Sequence, residues 1–383
     1  MQNDRIKSFH FTEVIVPAKE GMISSKSINK PLHMLPVIKK ASDGWSTQFD
    51  ELPKLIVRME LESGIIGLGE FYRDHNIELV KNIAESLIGV DINKLSLNKL
   101  PIGLYREYDG FECAIWDAYA KAHGLRVIDL LGGQLQEKAK VGAWSSHREL
   151  NEVGEVAKNF YDQGYDSIKF KSDLDDDVVA YCEEIKKAAP NMTVIFDPNQ
   201  RWENLGEIKK RVRALEKVGN VFCLEDPMPL WMLQDYKSLR EFTDIRIVRH
   251  VSLPYIYQGQ RVHDMINVLA HQSADGFNFN SGLSKFRQQD AIANAANMYS
   301  WHGSEIDLGI LEAMYIHQVL ATSNCIWPSD IFGRLIRVHD LLKTPLKIEA
   351  PYAYLPSDGL GLGIKLDEEA IESFKTNELY VNQ

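Results

Sequence analysis

The sequence predicts an α/β protein whose larger part is a parallel barrel of alternating strands and helices. Three observations predict it. From about residue 141 onward, short apolar runs alternate with segments of helical spacing. Three of these runs end in charged motifs: Lys169-Phe170-Lys171, Asp197-Pro198-Asn199-Gln200 and Leu224-Glu225-Asp226-Pro227. Asp197 follows Lys171 by 26 residues and Glu225 follows Asp197 by 28, and one strand, one helix and two loops need about 25 to 30. The motifs therefore fall at the ends of consecutive parallel strands, the face on which a barrel carries its chemistry.

The first third of the chain is different. Residues 53–62 alternate Leu55, Val57, Met59 and Leu61 with Lys54, Arg58, Glu60 and Glu62, the period-two pattern of a half-exposed antiparallel strand. Ser63-Gly64 makes a turn, and residues 65–70 return as a second strand. Residues 111–123 read as a helix that Gly124 ends. This α+β unit is assigned to 1–138. In the barrel, assigned to 139–345, strands are expected at 141–144, 167–171, 193–196, 221–224, 245–248 and 276–279, with a short segment at 300–302. Helices are expected at 175–188, 204–218, 285–297 and 309–322. The tail, 346–383, breaks the alternation. Its Gly359-Leu360-Gly361-Leu362-Gly363 is loop-like, and the tail is expected to fold back onto the first unit.

With 383 residues the chain can build a barrel and a second domain. Its net charge of −11 argues against nucleic acid or an anionic membrane as partner. A small anionic substrate stays open, because lysines and a metal can reverse the field inside a cleft. Cys113, Cys182, Cys223 and Cys325 lie in apolar runs and form no CxxC pair, the usage of reduced core thiols in a cytoplasmic protein. The N-terminus lacks an apolar signal core, and no apolar stretch approaches the ~18 residues of a membrane span.

Residues two apart in a strand share a face, so Lys169 and Lys171 both point to the barrel interior or its mouth. Held together, two ammonium groups repel, which is expected to lower at least one pKa and make a base for a weakly acidic proton. The alternative is a solvated strand end. Asp197 and Glu225 follow successive strands, where one metal ion can reach both, and two carboxylates with water suit Mg²⁺. Asn199 falls on the same face. Here the alternative is loop capping, since Asp-Pro-Asn is also turn chemistry. Each motif alone is weak; the ordered set at barrel spacing is strong.

These motifs resemble the enolase superfamily, in the branch containing mandelate racemase and muconate lactonizing enzyme. The resemblance extends to Gly64-Ile65-Ile66-Gly67-Leu68-Gly69-Glu70, to Glu112-Cys113-Ala114-Ile115-Trp116-Asp117 with Lys121 and Leu130-Leu131-Gly132-Gly133, and to Pro356-Ser357-Asp358-Gly359-Leu360-Gly361-Leu362-Gly363. It implies a modified TIM barrel, (β/α)₇β, beneath an α+β capping domain, and a homo-oligomer. It implies Mg²⁺ holding a substrate carboxylate while a base removes the α-proton. Asp197 and Glu225 take the first two metal-ligand positions, Lys171 the base, Lys169 its charge partner, and His302 the position of a catalytic histidine after the seventh strand. Segments 24–45 and 70–73 fall where the family places substrate-covering loops.

Two departures matter. The third metal ligand should be an acid, but the matching position is His250, which suits Mn²⁺ or another divalent metal better than Mg²⁺. At the sixth strand the family carries a lysine or an aspartate, and this chain has Asn280, assigned with Asn199 to substrate binding. His302 then lacks its anionic partner unless Glu305 or Asp307 substitutes. These changes weigh against two-base racemisation. The expected reaction is dehydration of a sugar acid: Lys171 takes the α-proton and His302 assists loss of the β-hydroxyl. Lys26, Lys30, Arg73 and His75 in the cap fit a polyhydroxylated acid. The alternatives are a racemase, epimerase or cycloisomerase on a carboxylic acid, and a non-catalytic acid-binding member.

Overall fold

A computed structural model describes residues 3–22, 53–73, 75–173, 175–202, 204–252, 258–357 and 359–382. Strands β1 (Ile6–Val14), β2 (Lys54–Leu61) and β3 (Ile66–Phe71) come first. After the short β4 (Ala139–Lys140) follow β5 (Ala143–Ser145), β6 (Ser167–Lys171), β7 (Thr193–Asp197), β8 (Val221–Glu225), β9 (Arg246–His250), β10 (Gly276–Phe279) and β11 (Tyr299–His302). The short β12 (Ile348–Glu349) and β13 (Tyr352–Ala353) precede β14 (Lys375–Asn382).

Strands β5 to β11 form a seven-stranded sheet in chain order, parallel throughout. Residues 324–330 bridge its two edges. Cys325 pairs in parallel with Ser300 and Ser329 with Val141, while the Asp330 amide donates to the His302 carbonyl at 2.7 Å. The eighth position is thus filled, and the result is the modified TIM barrel. Ile195, Cys223, Val248, Trp301 and Trp327 pack one layer of its interior. Phe170, Phe196, Leu224, Ile247 and Phe277 point the other way, into the core shared with the helices, as strand alternation requires.

The cap is an antiparallel sheet in the order β14-β1-β2-β3. The tail therefore returns to the first unit, with Val381 opposite Phe9 and Met59 on the other side of Phe9. The helix Tyr108–Ala122 lies on this sheet, and the approach explains the glycines of β3. A Cβ on Gly67 would sit 2.1 Å from the Ala114 carbonyl oxygen, and one on Gly69 2.4 Å from that of Gly110. Asp117 ties three segments together. It accepts from the amides of Leu68 at 2.8 Å and Leu362 at 2.7 Å, and from the Lys121 ammonium at 2.6 Å. Those residues of the family motif hold the structure together and stand outside the chemistry.

Cap carboxylates also terminate barrel helices. Glu70 accepts from the Leu308 and Leu311 amides at the start of helix Gly309–Leu320, at 2.8 and 3.2 Å. Glu112 accepts from the Ser284 amide at the start of helix Leu283–Ala295, at 3.1 Å. Each satisfies N–H groups that a helix leaves unpaired, an effect of about 1 kcal/mol per cap. No helix among the described residues is long and apolar enough to cross a membrane, and all four cysteines are buried thiols.

His317 links the barrel to linker and tail. Its Nδ1 accepts from the Ile128 amide at 3.1 Å, so Nε2 carries the proton toward the Leu362 carbonyl at 3.0 Å. Burial lowers its pKa from 6.5 to about 4. Between those values the unfolded chain binds a proton that the folded imidazole does not. Its stabilising contribution is therefore complete above pH 6.5 and is lost as pH falls toward 4, at up to about 1.4 kcal/mol per pH unit. Urea unfolding at a series of pH values will show a shallower acid loss in His317→Asn than in the unsubstituted protein. Equal slopes would mean that His317 titrates normally in the fold.

Candidate active site

The interior side of strands β6 to β10 ends in charged or polar groups. Lys169 and Lys171 come from β6, Asp197 from β7, Glu225 from β8, His250 from β9 and Asn278 from β10. All line one cavity with Asn199, Asp330, Ser304 and Glu305, and with Arg73 from the cap. Strand alternation delivers them together, because Phe170, Phe196 and Leu224 turn the opposite way.

The charges are paired. The Lys169 ammonium lies 2.7 Å from Glu225 Oε2 and 2.6 Å from Asp330 Oδ2, with the Trp301 ring beneath it at 5.0 Å. Among the described residues Lys171 pairs with Asp197 alone. Asn278 Nδ2 donates to Glu225 Oε1 at 2.6 Å, and His250 Nδ1 lies 3.4 Å from the same oxygen. Burial works against the charge on Lys169, yet Asp330 and Glu225 offset it and hold the ammonium above its ordinary range. Lys169 is thus not the lysine on which repulsion lowers the pKa. Burial likewise disfavours the Glu225 carboxylate, but Lys169 and His250 hold its pKa below the usual value. Burial raises Asp330 to about 6 against the pull of Lys169.

The loops after β7 and β8 turn through left-handed backbone at Asn199 (φ 47°), Gln200 (φ 70°) and Asp226 (φ 41°), a conformation that Asn and Asp tolerate better than most residues. The Asn199 amide donates to Asp197 Oδ1 at 3.0 Å and the Gln200 amide to the Asp226 carbonyl at 2.7 Å. Asp226 turns away from the cavity, accepting from the His250 amide at 3.1 Å and facing Arg249 Nε at 3.4 Å.

Of the residues expected from sequence, the structure brings Lys169, Lys171, Asp197, Asn199, Glu225 and His250 together. It places His302 and Asn280 elsewhere. Trp301 takes the interior side of β11, so His302 faces the helices, stacked 3.9 Å from Tyr315 and 5.3 Å from Phe286. Its Nδ1 bonds the Gly303 carbonyl at 2.7 Å, and burial lowers its pKa to about 4. Neither suggested partner reaches it by a hydrogen bond: Glu305 pairs with Arg73 at 2.7 Å and Asp307 with Lys54 at 2.6 Å. Asn280 is buried, with the Tyr315 hydroxyl 3.5 Å from its Oδ1; Asn278 lines the cavity in its stead. His75 pairs with Glu13 at 3.3 Å, while Lys26, Lys30 and segment 24–45 lie outside the described residues. Asp330 was not foreseen. It ends an irregular segment containing Pro328, which carries no strand pattern to find it by.

Among the described residues no three His, Cys, Asp or Glu side chains already converge as metal ligands. The donor set nevertheless fits a divalent ion. Asp197 and Glu225 supply carboxylates, while Asn199 Oδ1 and His250 Nε2 are buried at the cavity without partners.

Residues 152–370 match the family model described as enolase C-terminal domain-like, and 46–132 that of the mandelate racemase / muconate lactonizing enzyme N-terminal domain. The chain belongs to the enolase superfamily, in the mandelate racemase/muconate lactonizing branch. It is 25% identical to muconate cycloisomerase 1 of Rhodococcus opacus over 360 residues, covering 87% of this chain and 93% of that one. The crystal structure of N-succinyl Arg/Lys racemase from Bacillus cereus superposes with a TM-score of 0.81 at 19% identity, over 98% of this chain and all of that one. A probable glucarate dehydratase of Streptomyces coelicolor is 26% identical over 226 residues, 46% of this chain and 52% of that protein. Relatives named as isomerases thus match nearly the whole chain, whereas the dehydratase matches less than half.

Asp330→Ala leaves the buried Lys169 with Glu225 as its one remaining carboxylate. It is expected to destabilise the metal-free protein by roughly 2 kcal/mol in urea unfolding, and Lys169→Met is expected to cost less in this background than in the unsubstituted protein, because Asp330 is no longer there to be left without its counter-charge. Strictly additive losses would show that the two residues are not coupled.

Proposed function

We propose that the protein is a metal-assisted isomerase that moves a proton at the carbon α to a carboxylate, with Lys171 as its one acid/base. The observation that carries this reading is an asymmetry across the cavity. Among the described residues Lys171 stands on one side with a single carboxylate paired to it, and the sixth strand answers with Asn278, an amide that neither gives nor takes a proton near neutrality. Racemisation needs a proton-transfer group on each face of the α-carbon. Ring opening and closing needs one. Lys171 takes the α-proton and delivers it to a ring oxygen as the bond from that oxygen to the β-carbon breaks, so that the opened acid carries a hydroxyl and still a single carboxylate; closure runs the same steps backwards. Support also comes from the cycloisomerase relatives. Elimination of water, expected from the sequence, relied on His302 as acid at the leaving group, and His302 faces the helices.

A divalent ion, Mg²⁺ or Mn²⁺, would be held by Asp197 and Glu225 with Asn199 and His250 at hand, and when bound supplies positive charge opposite the substrate carboxylate. Lys169, kept charged by its carboxylates, holds a second positive charge where negative charge develops as the α-proton departs. Lys171 holds and returns the proton.

Solvent deuterium exchange at the α-carbon of a panel of small carboxylates, followed by proton NMR, tests the reading. Exchange is expected with Mg²⁺ or Mn²⁺, to be lost with chelator, and to fall about a thousandfold in Lys171→Ala. Exchange that inverts the α-carbon as fast as it labels it would sink the one-face mechanism.

A further inference from the structure

We infer that the cavity takes a monocarboxylate with a flat apolar body, seated against Trp144, Ile306 and Phe332. The inference rests on the carboxylate-site reading above and names its substrate class.

The wall is built from separate parts of the barrel. Trp144 belongs to β5, Ile306 to the loop after β11, and Phe332 to the chain just past the closing segment. All three line the cavity with Lys171 and Asp197. The rings of Trp144 and Phe332 stack at 5.5 Å and 25°. Ile336 completes the cluster, with Ala18 and Met22 of the cap packed against it.

Ile306 is held there against its own preference. Its φ is +61°, left-handed backbone that a β-branched residue rarely adopts, at a cost of about 1–3 kcal/mol. The surroundings enforce it. Ser304 Oγ accepts from the Ile306 amide at 3.0 Å and the Asp307 amide at 3.3 Å, and Arg337 Nη2 donates to the Ile306 carbonyl at 3.3 Å. A glycine would satisfy the same bonds without strain. The strained isoleucine presents an apolar side chain to a cavity otherwise rich in charge.

The polar lining residues, by contrast, are largely committed to one another. Ser304 donates to Asp307, Asn278 to Glu225, and Arg73 pairs with Glu305. Among the described residues few side chains remain to recognise a row of sugar hydroxyls, and a polyol against the apolar wall would lose hydrogen bonds to water without replacing them. Charge sets the number of acid groups. Among the described residues Arg73, Lys169 and Lys171 face Asp197, Glu225, Glu305 and Asp330. A divalent ion turns that deficit of one into a surplus of one, which a single carboxylate balances and a dicarboxylate overshoots.

Isothermal titration of the Mg²⁺-loaded protein with 3-phenylpropionate, D-gluconate and adipate is the test. Phenylpropionate is expected to bind at least about tenfold more tightly than the others, and to weaken about tenfold in Phe332→Ser. Ile306→Gly, which relieves backbone strain and so keeps the fold, should weaken it similarly and leave gluconate unchanged. Gluconate or adipate binding as tightly as phenylpropionate would overturn the inference while leaving the isomerase reading intact. Tight phenylpropionate binding with no α-deuterium exchange on any acid would overturn the isomerase reading and leave the subsite standing. Binding of no acid at all would overturn both.

Discussion

The Lys169 ammonium is the constraint on which the barrel mouth depends. It is almost completely buried, so it needs counter-charges, and the carboxylates of Glu225 and Asp330 need it for the same reason. These three groups come from β6, β8 and the end of the closing segment. That segment is joined to its neighbours by a few bonds of irregular backbone, and its last residue reaches across the barrel to the ammonium. Closing the barrel and neutralising the site are therefore one event. Lys171 and Asp197 repeat the device nearer the mouth, with one carboxylate in place of two. In the proposed reaction this difference in partners separates the roles: the doubly paired lysine is fixed as a charge, and the singly paired one would act on the substrate.

A second buried network seats the cap on this mouth. Lys54 of β2 lies between Glu70 of β3 and Asp307 of the loop after β11, at 3.1 and 2.6 Å. Glu70 also holds the first amides of the following helix. The cap thus grips the seventh loop at Asp307, one residue beyond the strained Ile306, and again at Glu305 through Arg73. Strain at Ile306 persists because its neighbours on both sides are tied to another domain. These two pairs tie the cap to the loop that carries the cavity wall.

Much of the barrel was legible in sequence because its signals are local. Strand β6 runs over the residues the pattern predicts, and β10 likewise. Spacing and period-two alternation together bring Lys169, Lys171, Asp197, Glu225 and His250 to one cavity. Alternation also accounts for His302. With one aromatic and one imidazole side by side at the end of β11, the larger Trp301 fills the barrel interior, and the histidine takes the helix side. Composition does not decide that parity; packing does. Asp330 was illegible for another reason, since the closing segment is held by isolated bridges and interrupted by Pro328. Without Asp330, repulsion between the two lysines is weighed without the carboxylate that outweighs it at Lys169.

The lysines and carboxylates are common to every reaction that begins by removing a proton next to a carboxylate, so they do not choose among those reactions. The choice lies in what faces them. A second proton carrier would favour inversion, and an acid beside the leaving group would favour loss of water. Here the sixth strand contributes an amide already bonded to Glu225, and the histidine of the seventh strand is turned outward. What remains beside Lys171 is a wall of Trp144, Ile306 and Phe332, which transfers no protons and, as the inferred subsite, would hold a molecule in place and exclude water. A site with one mobile proton and a confining apolar wall is suited to a step in which the substrate supplies its own nucleophile and leaving group.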